Sequence, residues 1–267
     1  MSYQTAYLKH YYPVEFYSAM MSYEKADGQG QIQISSYIKE CKKRGISILP
    51  PDINSGTDMF YPIDNSVQFR LNMITGLGDS AFESIQKLRP FESFEDFMTR
   101  RDKSKIKDNV IESLIKAGAF DRFNPNRGEL MYNLLMSKRT KTEVKLNVEV
   151  EVDYNDLIKS DWEKDSTGIY LTSHPLEGRN IKEFSEYKDG STVYIWVLVD
   201  DILVKLDKNK KEMAFLTTST EIDQIRIVMF KDSWSQYKDL LYANQNNPIF
   251  IEGKKDGSNI LLNRMEV

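Results

Sequence analysis

From Thr192 onward the sequence changes period, and that change restricts the fold more than any other feature. TVYIWVLVDDILVKLD is a long β-rich run closed by the polar turn DKNKKE. MAFLTTSTE and DQIRIVMF supply two more strands, the second with Ile225, Ile227 and Met229 alternating with Arg226 and Val228. SWSQYKDLLYAN then reads as a helix with Trp234, Tyr237, Leu240 and Leu241 on one face. PIFIEGKK and NILLNRMEV, joined at Asp256-Gly257, are the last two strands. Three strands, a helix and two strands is the order of an OB-fold barrel, predicted here over 191–267. Such barrels bind single-stranded nucleic acid or oligosaccharide, and the fold alone does not choose between them. Lys205, Phe215, Arg226 and Lys254 are the candidates for single-strand contact, because a stacking aromatic flanked by cations is the usual arrangement. Phe215 reads more readily as interior packing, since small barrels fill with such side chains.

Upstream the pattern is helical. Pro13 starts a helix after His10-Tyr11-Tyr12, and Ile34, Tyr37, Ile38 and Cys41 share one face of another. ISILPPDIN reads as a short buried strand, and MFYPIDNSVQFRLNMI as a hairpin around Asp64-Asn65-Ser66. That hairpin leads into MITGLGDSAFESIQ, where Gly76-Leu77-Gly78 precedes a helix with Ala81, Phe82 and Ile85 on one side. Two glycines around one apolar residue can bare backbone N–H groups at a helix start, which suits a phosphate. A plain packing turn is the competing reading. SFEDFMTRR gives a short helix with a serine cap, and KIKDNVIESLIKAGAFD gives another that breaks at Gly118. Taken as a second turn, Ala117-Gly118-Ala119 makes a tandem with the first, although Gly118 equally reads as a helix C-cap.

Net charge is −4 overall, but 86–145 carries +5 while the other segments are neutral or acidic. The only basic stretch thus follows the Gly-Leu-Gly turn, which favours phosphate binding over packing. The candidate duplex contacts are Thr75, Gly76, Leu77, Gly78, Lys87, Arg89, Arg100, Arg101, Lys103, Lys105, Lys107, Lys116 and Gly118. Asp79 is an uncomfortable neighbour for an anion unless its side chain turns away. Residues 138–165 alternate apolar and charged side chains and turn acidic, as an exposed strand or a linker would. The expected divisions are 1–66, helical with a small β element; 67–137, tandem helix–hairpin–helix; 138–190, acidic linker plus the WEKDSTGIYLTSHPL block; and 191–267. The class is α+β and multidomain.

Some functions find little support. A single cysteine, Cys41, allows no intramolecular disulfide and fits a reducing compartment. No apolar run is long enough to span a membrane and the N-terminus has no signal-peptide pattern, so no membrane partner and a cytoplasmic location are expected. His174 stands before Pro175 with no second ligand near it, so no metal site and no catalytic residue are assigned.

In order along the chain, SYQTAYLKHYYPVEFYSAMM, YIKECKKRGISILPPDIN, the Gly-Leu-Gly hairpin, ESLIKAGAFD, WEKDSTGIYLTSHPL and the closing barrel resemble the C-terminal portion of the bacterial replicative DNA polymerase III alpha subunit, a C-family polymerase. The resemblance implies that the hairpins hold primer–template duplex through its phosphates and that the barrel lies near single-stranded template. It implies that the metal-binding carboxylates of nucleotidyl transfer, with their magnesium, lie in a catalytic part upstream, so this chain alone does not polymerise. Asp200-Asp201, placed at a strand end, does not replace them. The family's sliding-clamp peptide centres on a glutamine, and 138–160 has none, so clamp binding from this stretch needs an unrecognised variant. Met1 falls inside what the family makes continuous, as in a cut piece or a polymerase encoded in parts. In the second case Tyr3, Tyr7, Tyr11, Tyr12, Phe16 and Tyr17 face the catalytic part, unless they form a local core. A protein–protein module of the replisome without DNA contact is the alternative.

Overall fold

The computed structural model describes residues 3–25, 28–139, 156–221, 223–244 and 247–267. They form two compact units, Met1–Ser173 and His174–Val267. In the first unit, helix α1 (Tyr3–Tyr11) meets α2 (Pro13–Tyr23) at Tyr12, where Pro13 presets the backbone of the new helix. Helix α3 (Gly28–Lys43) buries Ile34, Ile38 and Cys41 against Val14, Tyr17 and Met21, with Tyr37 partly buried beside them. Strand β1 (Ser47–Leu49) pairs in parallel with β3 (Ser66–Gln68), which pairs antiparallel with β2 (Tyr61–Ile63). β1 is only half-buried, contrary to the buried strand expected from ISIL, because β3 takes the centre of this small sheet.

Burial, with the neighbouring charge of Glu40 adding to it, pushes the Cys41 thiol up to about 12. Below the ordinary thiol pKa of about 8.5 the folded and unfolded chains both hold the proton, so nothing is lost there. As pH rises from there toward 12, only the unfolded chain ionises, and stability falls. Melting temperatures at pH 7.5 and 9.5 should decrease in that order, and the decrease should shrink in Cys41→Ala. In the native chain iodoacetamide should leave Cys41 unmodified at pH 8 and label it once urea unfolds the first unit.

Five further helices follow: α4 (Asp79–Leu88), α5 (Phe94–Arg100), α6 (Asp108–Ala117), α7 (Arg127–Arg139) and α8 (Asp156–Thr167). Ser93 caps α5 by accepting from the Asp96 N–H at 3.1 Å. Their shared core joins Leu77, Phe82 and Ile85 to Ile106, Ile111 and Leu114, with Phe94 and Phe97 packed edge-to-face on Phe120. Where it is described, the 138–190 stretch of acidic linker plus WEKDSTGIYLTSHPL block is shared between the two units. Asp156–Thr167 is helical and belongs to the first unit, whereas 174–190 lies in the second. The physical cause is Glu163, which is fully buried. It accepts from Arg127 Nη1 at 3.0 Å and from the N–H groups of Leu171 and Thr172 at 3.1 and 2.9 Å. Asp121 completes the network from the other side of the guanidinium at 2.7 Å. Burial alone would lower the Arg127 pKa, but the hydrogen bonds and charges of Asp121 and Glu163 raise it instead. Residues 140–155, most of the stretch searched for a clamp peptide, lie outside the described residues.

The second unit is the expected OB-fold. Strands β4 (Thr192–Leu206), β5 (Glu212–Ser219), β6 (Gln224–Met229), β7 (Ile249–Asp256) and β8 (Asn259–Glu266) close a barrel in the order β4-β5-β6-β8-β7. Helix α9 (Lys231–Ala243) buries Trp234 and Leu241 against it. β4 pairs with β7 through 192–197 and with β5 through 198–206, with a bulge between Val199 and Asp201. The bulge reverses the inside–outside alternation. Tyr194 and Trp196 face outward before it, and Leu203 and Lys205 after it. Asp200-Asp201 therefore sits in mid-strand at this bulge, not at a strand end.

Candidate nucleic-acid interface

Two turns of the first unit are built alike. In the first, the Leu77 N–H donates to Ile74 O at 3.0 Å and Gly76 takes φ +81°, a conformation that favours glycine. Leu77 points into the core at 6% exposure, and Gly78 is the N-cap of α4 with φ −74° and ψ 165°. In the second, Lys105 and Ile106 both donate to Asp102 O, Ile106 is fully buried, and Lys107 is the N-cap of α6 with φ −78° and ψ 165°. Each helix then opens on an aspartate, Asp79 or Asp108. The partner of the Gly-Leu-Gly turn is therefore Lys105-Ile106-Lys107, not Ala117-Gly118-Ala119. The two are neighbours in space, since a Cβ built on Gly76 would lie 3.8 Å from Asn109 Nδ2.

Among the described residues no acceptor is bonded to the N–H of Gly76, Asp79 or Ser80, nor to that of Lys107, Asp108 or Asn109. Adjacent helix N-termini with bare amides form a concentrated positive potential. The electrostatics favour the second turn. Arg101 clamps it, donating to Ile106 O at 2.6 Å and to Asp108 Oδ1 at 2.9 Å, so the aspartate at that helix start is neutralised. Asp102 accepts from the Ser104 hydroxyl and N–H, which hold its carboxyl below the usual range. Lys103, Lys105 and Lys107 stand exposed around it. At the first turn Asp79 is exposed and has no ion-pair partner among the described residues, so its carboxylate opposes an anion there.

Of the other expected contacts, Thr75 adjoins the first turn, and the rest lie apart from it or make bonds of their own. Thr75 is exposed beside Gly76, but its N–H donates to Ser166 O at 2.7 Å and ties the turn to α8. Lys87 is exposed in the last turn of α4, roughly 12 Å along the helix from its start. Arg89 is half-buried and donates to Ile53 O at 2.6 Å and Gly56 O at 2.7 Å, and burial lowers its pKa. Arg100 stacks on Phe91 at 5.1 Å and bonds Asp96, Pro90 O and Leu88 O. Lys116 pairs with Glu112 at 3.3 Å and Asp165 at 3.9 Å. Gly118 and Ala119 donate to Ile115 O and Leu114 O, and a Cβ on Gly118 would meet Arg127 Nη2 at 2.3 Å. That turn is a sealed helix C-cap with no amide to offer. Arg89, Arg100, Arg101 and Lys116 are thus engaged in bonds of their own, which compete with a phosphate for the same donors, and Gly118 serves as a helix cap. Ser80 and Asn109 place bare N–H groups at the same two helix starts and carry no charge to flag them.

On the barrel, Lys205 Nζ and the Arg226 guanidinium lie 5.8 and 5.7 Å from the centroid of the Phe215 ring. Phe215 is half-exposed on the outer face of β5, not in the interior, because Ala214 and Leu216 take the inward positions. Three of the four barrel residues therefore converge. Lys254 does not, since it lies on β7 opposite Thr192. Among the described residues no three His, Cys, Asp or Glu side chains are grouped to hold a metal ion, and no helix is long and apolar enough to cross a membrane.

A family model described as a helix-hairpin-helix motif matches residues 45–130. Over 90% of its length the chain is 30% identical to DNA polymerase III subunit alpha of Chlamydia pneumoniae, covering 22% of that protein. The subunit of Aquifex aeolicus is 29% identical over 96% of this chain, and that of Escherichia coli K12 is 28% identical over 90%. The chain spans about a quarter or less of the length of these relatives, 23% and 24% for the last two. The resemblance carried by the ordered motifs is borne out.

Proposed function

We propose that this chain, homologous to a segment of DNA polymerase III subunit alpha, serves as a DNA-holding part of a replicative polymerase. The paired turns at Gly76–Ser80 and Lys105–Asn109 grip the phosphates of primer–template duplex, with Lys103, Lys105 and Lys107 supplying charge. The single observation that carries this reading is the juxtaposition of two like-built helix N-termini with bare amides. Such contacts carry no base preference. The outer face of β5 and β6, with Phe215 between Lys205 and Arg226, stacks single-stranded template. Nucleotidyl transfer and its magnesium belong to the remainder of a polymerase. Helix α1 buries none of its own side chains and exposes a ladder of Tyr3, Tyr7 and Tyr11, which would dock on that remainder.

Binding of the full chain to labelled duplexes of two unrelated sequences, repeated from 50 to 200 mM salt, tests the grip. Log affinity should fall linearly with log salt, by about 0.9 per phosphate neutralised, and equally for both sequences. Phe215→Ala should weaken binding of a single strand roughly tenfold and leave duplex binding unchanged. A folded chain that ignores DNA at 50 mM salt would make the turns packing elements, and the exposed Asp79 would then favour a protein-interaction role.

A further inference from the structure

The barrel has a second built surface, on the opposite half of β4. The segment 179–191 crosses the edge of β4 that β7 leaves open, at Asn180 and Tyr187, and ends against Lys255 of β7. Asn180 pins it there, with its Nδ2 donating to Trp196 O at 3.0 Å and its Oδ1 accepting the Trp196 N–H at 2.7 Å. Tyr187 adds a hydroxyl bond to Tyr194 O at 2.8 Å. The edge is thereby closed to an added strand. Between this segment and the outer faces of β4 and β7 is a cleft of about 670 Å3. That is the size of a small-ligand site.

The lining is aromatic with a cationic rim. Trp196 and Phe250 lie 5.5 Å apart, and Tyr194 is half-exposed beside them. The Arg179 guanidinium sits 4.8 Å over the Trp196 ring, and Lys182 Nζ lies 5.8 Å from Tyr187. Lys188 completes the rim, and Lys254 lies next to it, opposite Thr192. Of the nearby carboxylates, Glu186 accepts from the Glu183 N–H, Glu183 caps the turn that follows it, Asp189 accepts from the Gly257 N–H at 2.6 Å, and Glu252 lies across from Tyr194. Among the residues that line the cleft, the three cations Arg179, Lys182 and Lys188 stand against one acid, Glu186.

We propose that this cleft binds unpaired bases of a single-stranded nucleic acid, at a site separate from the Phe215 face. The flat faces of Trp196 and the stacked Arg179 present the platform on which bases of any identity stack, and Lys182 and Lys188 take the flanking phosphates. Charge complementarity argues for an anionic aromatic occupant, and a closed strand edge argues against an extended peptide.

The test uses the full chain and a 12-residue oligodeoxythymidine carrying 5-iodouracil, crosslinked with long-wavelength light. Crosslinks should map to Tyr194 or Trp196 in addition to the Phe215 strand. Trp196→Leu should abolish the first set and weaken single-strand binding about tenfold, and Arg179→Gln should weaken it severalfold with the fold intact. Duplex binding through the turns should not change, which separates this proposal from the hairpin reading. Crosslinks confined to the Phe215 strand, or unchanged single-strand affinity in Arg179→Gln, would overturn it. So would an acidic aromatic peptide that occupies the cleft while oligodeoxythymidine does not.

Discussion

Glu163→Ala should destabilise the first unit by about 3–5 kcal/mol, the size expected when one partner of a buried ion pair is removed. Arg127 is 3% exposed and Glu163 fully buried, so the substitution leaves a guanidinium facing a void, with Asp121 as its only carboxylate partner. It also strips the acceptor from the N–H groups of Leu171 and Thr172. Two readouts check this. The urea midpoint of the first unit should fall, and the Leu171 and Thr172 amides should lose hydrogen-exchange protection ahead of their neighbours. Glu163→Gln, which keeps an acceptor but not the charge, should fall between the two. A loss below about 1 kcal/mol in Glu163→Ala would mean the network is not the anchor of α8.

Replacing Lys103, Lys105 and Lys107 together by glutamine should reduce the salt slope of duplex binding by about 2.7, three phosphates at about 0.9 each. At 0.1 M salt that corresponds to a loss on the order of a hundredfold or more. Arg89→Gln removes one positive charge from the same basic stretch and should behave differently. It unmakes two hydrogen bonds to buried carbonyls, so stability falls by roughly 1–3 kcal/mol while the slope stays put. Asp79→Asn should do the reverse and strengthen duplex binding, because it deletes an exposed carboxylate with no ion-pair partner among the described residues at the start of α4. A slope reduced by about 0.9 in Arg89→Gln, the same per charge as in the lysine variant, would contradict the division between free and structural cations.

The succession of strands and helix in the barrel, the Ser93 cap and the Gly-Leu-Gly turn could be read from the sequence because each rests on local chemistry that a few residues specify. The second turn could not be found by looking for glycine. Lys105, Ile106 and Lys107 form it with ordinary backbone angles, so no glycine is needed. A signal was nevertheless present: DSAFESIQKL and DNVIESLIKA share Asp, Glu, Ser and Lys at the same four positions, with apolar residues in register between them. Which cations are free was not legible at all. Arg89, Arg101 and Lys103 look equivalent in a string of basic residues, and only long-range partners such as Ile53 O distinguish them. Phe215 escaped the interior because a strand's alternation is set by its neighbours Ala214 and Leu216, not by size.

The way β4 is shared has a consequence for synthesis on the ribosome. Its first half finds its partner only in β7, with Thr192 opposite Lys254. Some 60 residues must therefore be added before that pairing can form, which takes roughly 3–12 s at about 5–20 residues per second. Throughout that interval the longest strand of the barrel has an unpaired edge, and only its hairpin with β5 can form early. The nascent barrel is exposed to wrong pairing for seconds, whereas the paired turns upstream are assembled from residues close in sequence.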